Sequence, residues 1–396
     1  MVEVVIAGTT RTPIGKFGGA LASKSAVDLG VIAAKTAIAR AGIDPQRINQ
    51  AIFGNVYQAG SGQNVARQIA LNSGMSVSST AMTINEVCGS GLKAIRLGQS
   101  AIMMGDADVV LVGGTESMSN VPYYDTSARW GHKYGNTQLT DGLVRDGLSD
   151  AFSGVAMGVT AENVAAKYGV SRADQDAWAL RSHQRAVQAT TNGAFAAEIA
   201  PVTVQTRKAT ITVSKDEGPR PDTSTEKLAH LKPSFKSDGT VTAGNASGLN
   251  DGASAMILLR RDLADELGIK YEAVIDAYAE AGVDPQYMGY GPYEVVSSLF
   301  AKCHEEPTDV DLFELNEAFA AQSVAVVRNL GLDSERVNVD GGAIALGHPL
   351  GDSGARIVTT LIHALQRHGG QKGIAALCIG GGLGVGLQLH LVAANA

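Results

Sequence analysis

Positive charge is in short supply in this chain: 32 Lys and Arg face 39 Asp and Glu, a net charge of −7. Nucleic-acid binders usually carry a basic domain or stripe, so no general polyanion-binding surface is expected. Cysteine is scarcer, with three in 396 residues. That number is odd and the spacing suits no metal, which excludes a disulfide framework and a zinc site and fits a reducing cytosol. An uninterrupted membrane-spanning run is also missing. Residues 373–396 carry no charge, but Gly380, Gly381, Gly382, Gly384 and Gly386 break the stretch. Two short buried strands around a glycine turn, 374–379 and 385–389, suit it better. The start of the chain has Glu3 where a secretory leader would carry positive charge. The reading is therefore a cytoplasmic protein, with no membrane and no nucleic acid as partners.

Glycine is abundant. There are 47, where average usage would give about 28, and no collagen-like or linker-like period accompanies them. They point to tight turns and close backbone approach. The length allows two or three domains. Strands at 2–7, 51–55, 80–87 and 109–112 alternate with helices at 26–41 and 90–104, which predicts an α/β fold with a largely parallel, covered sheet. The same order recurs from Tyr271: strands at 274–277, 312–315 and 374–379, helices at 292–303 and 353–367. Ser90-Gly91 opens one long helix before Gly113-Gly114, and Ser353-Gly354 opens another before Gly380-Gly381-Gly382. This texture predicts a structural duplication.

Residues 117–241 differ in kind, with more polar residues and a helical piece at 161–192, and read as an insertion. Its stretch 201–236 holds seven basic residues against four acidic. On charge alone it is a solvated loop.

Three places carry candidate chemistry. Asn85-Glu86-Val87-Cys88-Gly89-Ser90-Gly91 sets a cysteine between strand and helix, where helix amides and dipole lower a thiol pKa. Taken alone, such a cysteine is more often a small buried filler. His348, inside Gly341–Gly351, occupies the matching junction of the second half and can take a thiol proton near neutral pH. Cys378 ends a buried strand ahead of Gly380-Gly381-Gly382. Asn316, in Asn316-Glu317-Ala318-Phe319, adds a side-chain amide at another strand end, where ligands of open α/β sheets bind.

These four motifs in this order, with Gly239-Thr240-Val241-Thr242-Ala243-Gly244-Asn245-Ala246-Ser247-Gly248-Leu249-Asn250-Asp251-Gly252 and Arg11-Thr12-Pro13-Ile14-Gly15, resemble the thiolase family over nearly the whole chain. The resemblance implies a thiolase fold: two βαβαβαββ halves in an α/β/α/β/α core, assigned here to 1–117 plus 242–270 and to 271–396, with a loop domain at 118–241. It implies that Cys88 becomes acylated, that His348 takes its proton, and that Cys378 is the second acid/base. One oxyanion site falls to His348 with a water held by Asn316, the other to the amides of Cys88 and Gly380. Coenzyme A contacts are implied for Leu148, Met157, Arg220, Phe235, Ala243, Ser247, Met288, Ala318 and Phe319. No permanently bound cofactor and no metal are implied. Acetyl-CoA, acetoacetyl-CoA and CoA are the expected partners, with a homodimer or homotetramer assembled through 123–145. Cys303, His132, His304, His363, His368 and His390 match no motif.

Two positions depart from the family pattern. Ala156 stands where short-chain members usually have histidine, and Asp352 where they have a small residue; Asp352 reads either as a helix cap or as a carboxylate facing His348. The glycine motifs favour acetyl-CoA acetyltransferase. The alternatives are a fatty-acid-degrading 3-ketoacyl-CoA thiolase and a non-catalytic binding subunit, the latter disfavoured by the intact Cys88, His348 and Cys378.

Overall fold

The computed structural model describes residues 2–392; Met1 and residues 393–396, the end of the uncharged C-terminal run, lie outside the described residues. The first half runs β1 (Val4–Arg11), α1 (Ala26–Ala41), β2 (Gln50–Gly54), α2 (Val65–Asn72), β3 (Thr80–Ile84), α3 (Ser90–Met104) and β4 (Val109–Ser117). After α4 (Met157–Tyr168) and α5 (Arg172–Thr191) it closes with β5 (Asn250–Arg260). The second half runs β6 (Ala273–Gly282), α6 (Gly291–Cys303), β7 (Leu312–Leu315), α7 (Ala320–Leu330), α8 (Leu350–His368), β8 (Lys372–Ile379) and β9 (Leu383–Leu391).

The pairing repeats between halves. The order β3-β2-β4-β5-β1 continues through β6 into β9-β8-β7, so β6, β9, β8 and β7 mirror β1, β5, β4 and β2. The partner of β3 shrinks in the second half to a single parallel bridge, Phe313 to Val337. The expected parallel character holds for β2·β3, β2·β4 and β7·β8. The remaining pairings named in that order are antiparallel. Each half closes on an antiparallel strand: β9 returns from β8 by a short turn and β5 returns to β4 after the long insertion that holds α4 and α5, whereas parallel neighbours need a crossover connection.

Helices α3 and α8 pack on each other between the two half-sheets, sharing one apolar core with β4, β5, β8 and β9. Outside, α1 and α2 cover the first half-sheet, and α6 and α7 cover the second. Residues Leu350 to Leu365 of α8 are all buried. Close passage of α3 and α8 depends on glycine. A methyl group on Gly91 would stand 2.7 Å from the Ala355 nitrogen, and one on Gly354 2.3 Å from the Leu92 nitrogen.

Several boundaries differ from the sequence reading, among them β1 and β6, which run on to Arg11 and Gly282 rather than ending at residues 7 and 277; three differences have a visible cause. β4 continues through Gly113-Gly114 to Ser117, because these glycines are where α8 meets the strand: a Cβ on Gly114 would lie 2.1 Å from the Gly351 carbonyl oxygen. α8 begins three residues before Ser353, at Leu350. The helical piece at 161–192 is two helices, broken at Gly169 (φ 63°) and restarted by a capping box of Ser171 and Asp174.

Candidate active site

The duplication brings two helix starts together. Cys88 precedes the first residue of α3, Ser90, by two positions, and His348 precedes the first residue of α8, Leu350, by two. With α3 and α8 in backbone contact, the His348 Nε2 comes to 3.3 Å from the Cys88 Sγ.

Cys88 is presented by a strained elbow. Val87 has φ 48°, a left-handed conformation that is a genuine outlier for a β-branched residue. Side chains on both sides hold it. Ser90 Oγ donates to the Val87 carbonyl at 2.6 Å and accepts from the Glu86 amide at 2.8 Å, and Asn85 Oδ1 accepts from the Val87 amide at 2.9 Å. Gly89 packs tightly, since a Cβ there would meet Ile379 Cδ1 at 2.4 Å and that side chain would have to shift. The sulfur packs against an apolar cluster that includes Tyr57 and Leu350. Burial pushes its pKa up to about 11, against backbone hydrogen bonds from Gly380 and Cys88 itself that act downward. The helix start therefore does not produce the lowered thiol pKa read from the sequence, because desolvation outweighs the amides.

His348 is buried and its pKa is pushed down to about 3, by burial first and the nearby Arg356 charge second. Its backbone amide donates to Asn250 Oδ1 at 2.9 Å, and Asn250 Nδ2 donates to the Gly15 carbonyl at 2.9 Å. Its Nδ1 lies 2.5 Å from Ser353 Oγ. Glu116 of β4 fixes the start of α8 by accepting the Gly351 amide at 2.8 Å, together with the amides of Val56 at 3.0 Å and Tyr57 at 3.2 Å. An otherwise orphan helix N–H is thereby satisfied across the fold.

Asn316 Nδ2 is 3.5 and 3.4 Å from the two His348 ring nitrogens, and its Oδ1 has no hydrogen-bond partner among the described residues. Cys378 is fully buried at the end of β8, and burial raises its pKa, with the neighbouring Cys88 adding to the effect.

A cavity of about 330 Å³ opens on Cys88, His348 and Cys378, within the size range of small-molecule sites; Asn316 is fully buried and is not part of its lining. Cys88, His348, Cys378 and Gly380 line it, together with Leu148, Met157, Phe235, Ser247, Met288, Ala318 and Phe319. Ala156 lines it too. Arg220 and Ala243 instead line an adjoining cavity of about 110 Å³, with Lys16 and His183, which shares Ala246, Gly248 and Leu249 with the first. Gly158 has a packing role: a Cβ there would lie 2.2 Å from the Phe235 ring.

Asp352 fits neither expectation. It is 1% exposed, and among the described residues no partner of normal hydrogen-bond geometry reaches either oxygen, so it does not cap α8. Its carboxylate lies against β5, where a Cβ on Gly252 would be 3.0 Å from Oδ2. Cys303 ends α6, and His390 pairs with Asp276 at 2.7 Å, both apart from the cavity lining. The sequence reading gave Ser353, Asn250 and Glu116 no role at the site, although Ser353 and Asn250 stand in motifs it quoted. A serine one helical turn beyond His348 was a usable signal; the other two come from strands remote in sequence.

Family models described as "Thiolase, N-terminal domain" and "Thiolase, C-terminal domain" match residues 4–262 and 269–391. The chain is 50% identical over 390 residues to an acetyl-CoA acetyltransferase of Chromobacterium violaceum, covering 98% of this chain and 100% of that one. It is 50% identical to a probable acetyl-CoA acyltransferase of Staphylococcus aureus, covering 96% and 97%. Among solved structures, the Bacillus anthracis acetyl-CoA acetyltransferase superposes with a TM-score of 0.97 at 44% identity, covering 99% of each chain. Human mitochondrial 3-ketoacyl-CoA thiolase gives 0.96 at 42%, again covering 99% of each. With one model on each half and near-complete coverage by these relatives, the chain belongs to the thiolase family.

Proposed function

We propose that the chain is an acetyl-CoA acetyltransferase, joining two acetyl-CoA into acetoacetyl-CoA and free CoA, or running the reverse thiolysis, through an acyl group carried on Cys88. The observation that carries this reading is the 3.3 Å contact between His348 Nε2 and Cys88 Sγ inside one cavity with Cys378.

In the first half-reaction the Cys88 proton passes to His348 Nε2 and the thiolate attacks the thioester carbonyl. The C–S bond to CoA breaks, and the departing thiolate takes a proton from Cys378. In the second, the Cys378 thiolate removes a proton from the methyl carbon of another acetyl-CoA, the carbanion attacks the acetyl group on Cys88, the C–S bond to Cys88 breaks, and the released Cys88 thiolate recovers its proton from His348. The amides of Cys88 and Gly380 receive one developing oxyanion, and His348 with a water held by Asn316 receives the other; fixed donors of this kind are each worth about 3 kcal/mol. Covalent catalysis lets one site serve two CoA substrates in turn.

Phe235, Met157, Met288, Leu148, Ala318 and Phe319 supply apolar wall for the pantetheine arm, Ser247 and Ala243 allow close approach, and Arg220 attracts the nucleotide end. The coenzyme is a substrate, and no permanent cofactor is needed. The working arrangement is two thiolase halves, 1–117 plus 242–270 and 271–396, with a loop domain at 118–241, assembled as a homodimer or homotetramer in the cytoplasm. Among the described residues no helix is long and apolar enough to cross a membrane.

Intact-mass analysis after mixing with acetyl-CoA tests the reading. An acetyl adduct is expected on the parent and not on Cys88→Ala; a parent without it overturns the enzymatic reading. Turnover that rises with 3-oxoacyl chain length would instead favour the degradative activity.

A further inference from the structure

We propose that Ser353 is a positioning residue that fixes the tautomer of His348, so that Nε2 rather than Nδ1 is the nitrogen able to take the Cys88 proton. The inference rests on the proposed Cys88 chemistry and assigns a role to a side chain outside the cavity lining.

Ser353 lies one turn into α8 and is 1% exposed. Its hydroxyl carries a single proton, which it donates to the Pro349 carbonyl at 2.9 Å. Toward the imidazole, 2.5 Å away at Nδ1, the same oxygen offers only lone pairs. Nδ1 must then carry the ring proton and donate it. Nε2 is left with its lone pair aimed at Cys88 Sγ, 3.3 Å off. The opposite tautomer would either set a lone pair of Nδ1 against one on Ser353 Oγ or turn the hydroxyl proton away from the Pro349 carbonyl, and it would point the Nε2 proton at a sulfur that has its own proton to lose. Burial of His348, which disfavours the imidazolium, makes the choice between neutral tautomers the one that matters. During acylation Nε2 gains the thiol proton while Nδ1 keeps its own on Ser353, so the transient cation is hydrogen-bonded at that nitrogen. The backbone contact from His348 to Asn250 sets where the ring sits; Ser353 sets which nitrogen reacts.

The test combines tautomer and reactivity. In [15N]histidine-labelled enzyme, with the His348 signal assigned from His348→Asn, the parent is expected to show a protonated Nδ1. Ser353→Ala is expected to acylate from acetyl-CoA about ten- to a hundredfold more slowly at pH 7, the range seen when a metal-bound histidine loses the partner of its other ring nitrogen. Its iodoacetamide profile at Cys88 should move to higher pH, and Ser353→Thr should restore most of the rate. A parent protonated on Nε2 overturns the proposal, as does a folded Ser353→Ala with parental acylation and alkylation across the pH range. If Ser353→Ala does not fold, the parent tautomer alone decides. A parent that forms no Cys88 adduct would defeat the proposed function, a result separable from either of these.

Discussion

Gly354 lies flush on the backbone of Leu92, where a methyl group would stand 2.3 Å from the Leu92 amide nitrogen. Gly91 makes the reciprocal approach to Ala355. Neither obstacle is a flexible side chain, so any larger residue must move one helix. Both helices carry a reacting residue two positions ahead of their starts, and the 3.3 Å contact of Cys88 with His348 has little slack. Gly354→Ala is expected to cost about 1–3 kcal/mol of stability, the usual penalty for overpacking, and more than tenfold in acylation rate. Urea unfolding and a stopped-flow acylation assay measure the two; parental acylation in a destabilised variant would show that helix spacing does not set the contact.

The glycine-rich texture made much of this legible beforehand. Ser90-Gly91 and Ser353-Gly354 marked two equivalent helix openings, and the structure shows their glycines as the contact itself. β7, α1 and α3 match the sequence reading to the residue because caps such as Gly42 and Gly105 (φ 67° and 80°) end the helices locally. What local signals do not carry is strand direction and cross-fold support. The antiparallel return of β5 and β9 depends on topology, and Glu116 reaches Gly351 across 235 positions. Desolvation of Cys88 is likewise a property of the assembled core.

That desolvation has a kinetic signature. With the Cys88 thiol near 11 and His348 near 3, the free enzyme holds a neutral pair over the whole range between, and proton transfer awaits a substrate. The rate of Cys88 alkylation by iodoacetamide should therefore keep climbing beyond pH 9, above the ordinary cysteine pKa of about 8.5. A plateau reached below pH 7 would mean a resting thiolate–imidazolium pair and contradict this picture.

Asp352 should make stability depend on pH. Burial raises its pKa to about 7, only partly opposed by the Ser254 hydroxyl and the Arg356 and Arg11 charges; an unfolded Asp titrates near 3.9. Between about pH 4 and 7 the folded chain keeps a proton the unfolded chain releases, so stability falls with rising pH and then levels off. The loss attributable to this group is at most about 4 kcal/mol. Asp352→Asn removes the titration and should be the more stable protein at pH 8. Glu116 and Glu314, raised by burial to about 7 and about 8, remain in both proteins, so the difference between their pH–stability curves reads Asp352 together with the part of the Glu116 rise that the Asp352 charge causes. Parallel curves from pH 5 to 8 would refute the assignment.

Ala156 occupies two roles that substitutions can separate. It is the N-cap of α4, with extended φ and ψ and no side-chain hydrogen bond to the helix, and it also lines the cavity. Ala156→Ser supplies the missing cap while keeping the wall small, so about 1 kcal/mol of added stability is expected, with KM and kcat within about twofold of the parent. Ala156→His extends a polar ring toward the bound thioester. One added hydrogen bond is worth about 1 kcal/mol, so the KM for acetyl-CoA should fall about fivefold, and the filled space should discriminate against longer acyl chains. Steady-state kinetics with acetyl-CoA and with 3-oxoacyl-CoA of increasing length measure both effects. If the histidine variant keeps the parental Michaelis constants, turnover and chain-length profile, the alanine is a neutral replacement and the cavity wall at this position does not touch the substrate.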